Sequence, residues 1–406
     1  MKIALVSLNL QWQAGGTRLL FELARGLIEA GNSVVIYAPE INPDAYKELQ
    51  EGLDIRRVDC GVKIDWTGNP SGIWGSIRRK AHEEFRRRSI CMKIADAMEK
   101  DFDVINVHDF AYPVGFFYKK KNRSDTLIIW NENDPPFMYL PKKNLALDFF
   151  SRVYNLFKKW VDAKFIKSVN HAIVLDEYNK KWCENVGIKA SIVRSGLDIK
   201  KYEANPKVIP AGIKNIKLLV VGALNPYRRF EDLITAAEIL TIRGWEVWVD
   251  IVCKDIWNSS EYRKKLSELL IEKNLSDRVN LFFDGVSEAE LPIFYQRAHA
   301  YVMTSHIPAP RSGFGWGLAN FEAMAAGLPL IVSKACTATE VLRDGESAVF
   351  FEPCSPQSVA DAVEKLFSSP NFYNLIARNG QAYVLKNLTW RQYVDRMIKI
   401  IDSVNI

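Results

Sequence analysis

The sequence predicts an α/β protein built from two doubly wound, Rossmann-like domains. Three observations carry that expectation. Short, uniformly apolar runs alternate with helical stretches from end to end. A break bearing two prolines and a glycine falls near the middle of the chain. The length, 406 residues, exceeds what one ordinary core accommodates. Strands of a buried parallel sheet are covered on both faces, so they read as continuous apolar runs and not as alternating ones. Repeated β–α alternation then calls for right-handed crossovers, with helices on both faces of each sheet.

In the first half, strands are expected at Ile3–Leu8, Ser33–Tyr37, Asp103–Val107, Thr126–Trp130, His171–Leu175 and Ser191–Val193. Helical stretches fall at Thr17–Ala30 and, long and amphipathic, at Ser76–Lys100. Pro206, Pro210 and Gly212 mark a linker. A second series follows, with strands at Lys217–Val221, Val247–Val252, Val279–Phe283, Ala300–Met303, Leu330–Val332 and Ala348–Phe351. Its helices are expected at Phe230–Ile242, Glu261–Lys273, Glu288–Gln296, Leu318–Ala326, Pro356–Phe367 and Phe372–Leu385. Helix Arg391–Ser403 lies beyond the natural end of the second sheet. The expected division is residues 1–202, a linker at 203–215, a second domain at 216–386 and a C-terminal helix in 387–406. Two such domains are expected to face each other across a cleft, where ligands bind at strand C-termini.

A hydrophobic content of 48% with 25% charged residues is that of a globular chain. No run of eighteen apolar residues suggests a membrane span, and Met1–Leu8 enters a strand with no leader-cleavage pattern. Six cysteines without a CxxC pair argue against zinc and a disulfide framework, and for a reducing cytoplasm. The net charge of +6 sits wholly in residues 1–200, where 31 Lys and Arg face 25 Asp and Glu; the remainder balances at 23 each. Much of the excess is clustered at Arg78–Lys80, Arg86–Arg88, Lys119–Lys121 and Lys158–Lys159. This charge is too small to suggest nucleic acid, and no aromatic–basic RNA motif is present. A basic flank fits anionic lipid or a phosphate-bearing acceptor; an ordinary solvated helix face fits as well.

The most informative segment is Gly313–Ser333. Gly313, Gly315 and Gly317 form a glycine-rich turn, a short helix carries the single acid Glu322, and a hydrophobic strand follows. Such a turn lets backbone approach a ligand, and the helix N-terminus is a natural seat for phosphate. The alternative is a helix–strand joint whose glycines only permit tight packing. Three more clusters fall at strand ends. Gly222 to Arg229 brings Arg228 and Arg229, two arginines able to clamp a diphosphate. Gly15, Gly16 and Thr17 open the first helix, and His108–Asp109 and Asn131–Asp134 end two strands of the first domain. Plain turn chemistry or a structural histidine would produce the same residues. No GxGxxG, Walker, GxSxG or HExxH motif is present, which removes most dehydrogenase, kinase, hydrolase and metalloprotease readings.

In order along nearly the whole chain, these pieces resemble the retaining GT-B glycosyltransferases of family 4, which include sucrose synthases and bacterial mannosyltransferases. Gly15–Gly16 with Gly31–Val35 is similar to the family's opening, and Val193–Asp198 to the NGVD that closes its first domain. Val221–Arg228 with Phe230–Ile234 resembles the entry to the donor domain; Phe283–Val286, the Ala298–Ser305 stretch and Glu322–Pro329 complete the order. The resemblance implies a GT-B fold whose C-terminal helix packs back on the N-terminal domain. It implies that Glu322 hydrogen-bonds the donor ribose and that the amides of Trp316, Gly317 and Leu318 hold the donor diphosphate, with Phe314 and Gly315 also on the donor side. Arg228 stands where the family has a diphosphate-binding lysine, beside Gly222 and Arg229. Gly15, Gly16, Thr17, His108, Asp109, Asn133 and Asp134 would line the acceptor and sugar side.

Three positions depart from the pattern. The first glutamate of the family's E-x7-E pair falls on Phe314, or on Ser312 in another alignment; the arginine after Gly222 is Ala223; and a sugar-pocket histidine corresponds to Asn133. The resemblance implies retaining, metal-independent transfer from a nucleotide-diphosphate sugar to a hydroxyl of a glycan or lipid-linked acceptor, without any cofactor. The cysteine usage places the protein in the cytoplasm, and the basic first half at the inner face of the cell membrane if an anionic surface attracts it. Two readings stay beside the transferase one: a non-catalytic subunit that binds nucleotide sugar or glycan, and a sugar epimerase or sugar-phosphate synthase sharing the donor site.

Overall fold

The computed structural model describes the chain apart from residues 13–14, 62–72, 123–124, 134–144, 256–258, 308–315 and 405–406. Two units emerge, Met1–Gly196 with Trp390–Ile406, and Leu197–Thr389. In the first, seven strands form one all-parallel sheet: β1 (Lys2–Val6), β2 (Ser33–Ala38), β3 (Asp54–Arg57), β4 (Val104–His108), β5 (Leu127–Glu132), β6 (His171–Val174) and β7 (Ala190–Ile192). Their spatial order is β3-β2-β1-β4-β5-β6-β7. The order reverses between β1 and β4, which pair from Ile3 with Val104 to Val6 with Val107. The helices of this unit are α1 (Gly15–Glu29), α2 (Lys47–Gln50), α3 (Ile73–Ala97), α4 (Pro113–Asn122), α5 (Leu145–Ile166) and α6 (Glu177–Asn185).

Alternate residues of each strand serve opposite cores. Ala4, Val6, Ile105, Val107, Ile128 and Trp130 pack into one cluster. Ile3, Leu5, Val104, Leu127 and Ile129 pack into another. That two-sided burial is why these strands read as uninterrupted apolar runs. Strand β3 was not expected. It is one edge of the sheet, with Asp54 and Arg57 exposed, and so carries too little apolar character to read as a strand.

The second unit holds a six-stranded parallel sheet: β8 (Asn215–Ala223), β9 (Glu246–Lys254), β10 (Val279–Phe282), β11 (Ala300–Met303), β12 (Leu330–Ser333) and β13 (Val349–Phe351). Its order is β10-β9-β8-β11-β12-β13, with the reversal between β8 and β11. Around it lie α7 (Ile199–Tyr202), α8 (Phe230–Ile242), α9 (Ser260–Glu272), α10 (Leu291–Arg297), α11 (Leu318–Ala325), α12 (Pro356–Leu366) and α13 (Pro370–Asn387). Two of these helices start the same way. Ser355 and Ser369 each accept a backbone N–H three residues on, and each is followed by proline at the first helical position. Helix α7 lies in the second unit, where Tyr202 is buried edge-on against Tyr295.

The last helix, α14 (Trp390–Val404), returns to the first unit. Tyr393, Val394, Met397 and Ile401 are buried in the same cluster as Leu20, Leu23 and Leu27 of α1. The approach is close: a Cβ built on Gly26 would lie 2.4 Å from Val394 Cγ2. Among the described residues no helix is long and apolar enough to cross a membrane.

The basic clusters of the first unit are only partly a solvated face. Arg88 and Lys158 donate to Asp162 at 2.8 and 2.7 Å, and the Tyr112 hydroxyl donates to the same carboxylate at 2.6 Å. Lys158 also pairs with Glu84 at 2.8 Å, and Glu84 takes Arg87. Asp162 and Lys158 are buried, so this network bolts α3 and α5 together from inside. Burial alone would raise the Asp162 pKa; Lys158, Tyr112 and Arg88 outweigh it and hold the carboxyl below its ordinary value.

Two consequences can be measured. Gly26→Ala gains about 1 kcal/mol of helix propensity. It also displaces a stiff β-branched side chain, for a net loss of about 1–2 kcal/mol in urea unfolding. Adding Val394→Ala should recover part of the clash. Asp162→Ala, which strips buried cations of their partner, should cost about 3–5 kcal/mol. With its folded pKa depressed, Asp162 contributes stability that is present above about pH 4 and lost as pH falls through the folded value. An Asp162→Asn variant should therefore show a flatter acid limb than the wild type.

Candidate functional site

In the second unit, the polar side chains gather where the sheet order reverses, at the C-terminal ends of β8 and β11, where open α/β sheets bind ligands. Tyr301, fully buried on β11, pins the end of β8. Its hydroxyl accepts from Val221 N at 3.2 Å and donates to Val221 O at 3.0 Å. Gly222 follows, and the chain turns through a short 3-10 segment to Arg228. The Arg228 side chain lies back over Gly222, where a Cβ would sit 3.0 Å from its Nε. Arg228 Nη1 donates to Ser305 Oγ at 3.2 Å, and the Arg228 carbonyl accepts from Thr304 Oγ1 at 2.6 Å. The residues just past β11 thus fix this arginine at both its backbone and its tip. Cys336 contacts the Ser305 carbonyl from behind, its thiol pushed up to about 12 by burial against the opposing pull of Arg228.

Arg229 behaves differently. It sits in the left-handed region at φ 51° and begins α8, and its guanidinium donates twice to buried Asp232, at 2.6 and 2.7 Å. The pair of arginines expected to clamp a diphosphate is therefore one arginine held at the strand ends and one committed to its own helix.

At the amino end of helix α11, Gly317, at φ 63° and ψ 64°, is the N-cap; among the described residues no side-chain cap hydrogen bond is made there, and the first turn contains no acid. That conformation suits glycine and strains other residues. Trp316 is buried and stacks on Phe321 at 4.3 Å, which anchors the turn from below, while Leu318 begins the helix. One turn further on, half-buried Glu322 accepts a hydrogen bond from Tyr295 at 2.9 Å. Burial raises the Glu322 pKa, and the Tyr295 hydrogen bond offsets only part of that. Phe314 and Gly315, with Ser312, lie outside the described residues.

In the first unit, Gly16, Asp109 and Asn133 come together at the ends of α1, β4 and β5. Asn133 Nδ2 donates to Asp109 Oδ1 at 2.8 Å, and a Cβ on Gly16 would lie 3.8 Å from Asp109 Oδ2. Asp109 takes a left-handed φ of 47°, and its carbonyl accepts from Trp130 Nε1 at 2.7 Å. Gly15 and Gly16 are exposed, but Thr17 is buried. His108 is buried too, and its Nε2 has no hydrogen-bond partner. Burial pushes its pKa down to about 3, so it stays neutral. Asp134 lies outside the described residues.

Several contributors escaped the sequence reading. Asn179 at the start of α6 donates to the Asn133 carbonyl at 3.0 Å. Beneath it, buried Asn106 donates to Asn131 at 3.0 Å, and Asn131 reaches Tyr393 of α14 at 3.4 Å. Ser305 and Thr304 were detectable as the first polar residues after an apolar strand; Tyr295 and Tyr393, brought in by folding, had no local signal. Among the described residues, no group of three His, Cys, Asp or Glu could hold a metal ion.

Residues 14–201 match the family description Glycosyltransferase Family 4, and residues 202–383 match Glycosyl transferases group 1. The O-antigen chain mannosyltransferase RfbU of Salmonella typhimurium is 30% identical over 169 residues, covering 39% of this chain and 42% of RfbU. The chain spans about half the length of the curated relatives it matches first. Among solved structures, sucrose-phosphate synthase from Thermosynechococcus elongatus aligns over 99% of this chain and 98% of its own, with a TM-score of 0.73 at 17% identity. HepE of Anabaena, in complex with UDP and glucose, aligns over 99% of this chain and 100% of its own, with a TM-score of 0.70 at 16% identity.

The Tyr295–Glu322 contact makes a testable statement about the site's rigidity. Tyr295→Phe removes one of two tyrosine donors to the half-buried Glu322 carboxyl, Tyr202 being the other, and should cost about 1–2 kcal/mol in denaturant unfolding. A folded carboxyl with a raised pKa stabilises the protein fully only below its unfolded value, and loses that stability as pH rises. The deficit of the variant should accordingly be larger at neutral pH than below about pH 4.

Proposed function

The chain belongs to family 4 of the GT-B glycosyltransferases, and from that membership we propose that it moves a sugar, with retention at the anomeric carbon, from a nucleotide-diphosphate sugar to an acceptor hydroxyl. The observation that carries this reading is the donor half of the site. Arg228 is held at the β8 and β11 ends by Ser305 and Thr304, and α11 in the same unit presents an amino end with, among the described residues, no side-chain cap hydrogen bond and no acid in its first turn. A guanidinium and a set of open helix amides are what a departing diphosphate needs. HepE, with UDP and glucose bound on the same fold, supports a nucleotide-sugar donor.

In the proposed reaction, the C–O bond between the anomeric carbon and the diphosphate breaks while the acceptor oxygen bonds to the same face of that carbon. Arg228 and the Leu318 end of α11 stabilise the negative charge that collects on the leaving diphosphate. Glu322 accepts a hydrogen bond from the donor ribose. The acceptor proton passes to the leaving phosphate, so no protein base is required. Neutral, buried His108 is consistent with that. Charge neutralisation by protein groups removes the need for a metal. Asp109 and Asn133, linked to each other beside Gly16, form the acceptor-side polar surface. We take the acceptor to be a glycan or lipid-linked sugar in polysaccharide or glycoconjugate synthesis, met in the cytoplasm at the inner membrane face.

A non-catalytic subunit that binds nucleotide sugar is the second reading. It is favoured by Phe314 or Ser312 where the resemblance implies an acid and by Asn133 where it implies a histidine. Thermal-shift measurements against nucleoside diphosphates and their sugars, followed by donor hydrolysis and transfer assays, separate the two. For the enzyme, Arg228→Ala is expected to lower kcat by about 100- to 1000-fold. Glu322→Ala should weaken nucleotide binding. Donor turnover unchanged in both variants would sink this site, and stabilisation by nucleotide without any turnover would favour the binding subunit.

A further inference from the structure

Helix α5 carries an apolar face that points into solvent. Phe149, Val153, Leu156, Phe157 and Trp160 are between 47% and 77% exposed. Their spacing of three and four residues puts them on one stripe along three turns. The rings of Phe157 and Trp160 lie 6.2 Å apart within it. The opposite side of the same helix is spent inside the unit, through Lys158 and Asp162 in the ion network and Phe165 in the core. The stripe is therefore held rigidly outward by contacts on its back.

The charges around the stripe have one sign. Arg152, Lys159 and Lys164 are exposed on α5, and Lys167 is exposed just beyond it. Both acids of the described helix are turned inward: Asp162 is buried, and the side chain of Asp148 is 14% exposed and paired with Arg152 at 3.0 Å. An apolar stripe with aromatic rings, bordered on α5 by cations and, among its described residues, by no exposed carboxylate, is the pattern of a helix lying in a membrane interface. A symmetric contact with a second copy would bring these same cations together unneutralised, whereas lipid phosphates would neutralise them.

We propose that this face of α5 docks the protein on an anionic lipid surface, with Phe157 and Trp160 at the acyl boundary and Lys159, Lys164 and Lys167 on the headgroups. The proposal rests on α5 and not on the transferase reading, and its readout needs no sugar transfer.

Flotation of the full chain with vesicles tests it, using phosphatidylcholine alone or mixed with phosphatidylglycerol, at low and at high salt. The expected result is binding to the anionic vesicles that high salt weakens by about tenfold or more. Phe157→Ser with Trp160→Ser should reduce that binding at least about tenfold while leaving the melting temperature unchanged, since both side chains already face water. Lys159→Ala with Lys167→Ala should weaken binding to anionic vesicles without altering the fold. No flotation of the wild type with anionic vesicles would overturn the proposal, as would equal binding to neutral ones or an undiminished Phe157/Trp160 variant. Sedimentation equilibrium supplies the remaining outcome. A dimer that the double serine variant abolishes, in a wild type that does not float, would assign the stripe to self-association and overturn the lipid assignment.

Discussion

Every strand in both sheets is parallel, and a parallel sheet must be covered on both faces. That constraint governs the rest of the molecule. It forces the crossover connections to be helices and makes the strands apolar on both sides. Polar chemistry then gathers where the chain leaves the sheet, with Asn106 and Asp250 as buried exceptions within strands. Gly222, Thr304, Ser305, His108 and Asn133 all stand at such exits, at or within a few residues of the C-terminal end of a strand. The site is not placed on the fold; it occupies the positions that two-sided burial leaves open to polar residues.

The same constraint explains what could be read from the sequence. Central strands such as β1, β4 and β5 were legible within a residue or two, because each is buried on both faces. Edge strand β3 was not, because water replaces one of its neighbours and its residues are mixed. At the site, positions on the local chain were legible and partnerships were not. Arg228 and Arg229 are adjacent and chemically identical in the sequence; only the fold shows that Ser305 holds one and Asp232 the other. Likewise, a run of three arginines at 86–88 reads as a surface charge until Asp162 and Glu84 are seen beneath it. Side chains that arrive from distant elements, Tyr295 on Glu322 and Tyr393 on Asn131, leave no periodicity to detect.

Magnitudes separate the structural from the chemical roles. Arg229 gains two short hydrogen bonds to a buried carboxylate, a geometry whose loss costs stability before it costs function. Arg228, by contrast, is steadied by a hydroxyl and a thioether, neutral partners that leave its charge unspent. A cation positioned by neutral groups remains available to stabilise charge that appears later. Glycine at 222 belongs to the same device, since a Cβ there would lie 3.0 Å from Arg228 Nε and crowd the guanidinium.

Helix α14 gives the first unit a peculiar birth order. Its residues Tyr393, Val394, Met397 and Ile401 complete a core whose other members come from the first 200 residues, yet they leave the ribosome only after the whole of Leu197–Thr389. The α1 groove they fill stays open to water throughout that interval, while the second unit, whose residues are contiguous, can already close. The N-terminal half of this chain is thus made first and finished last.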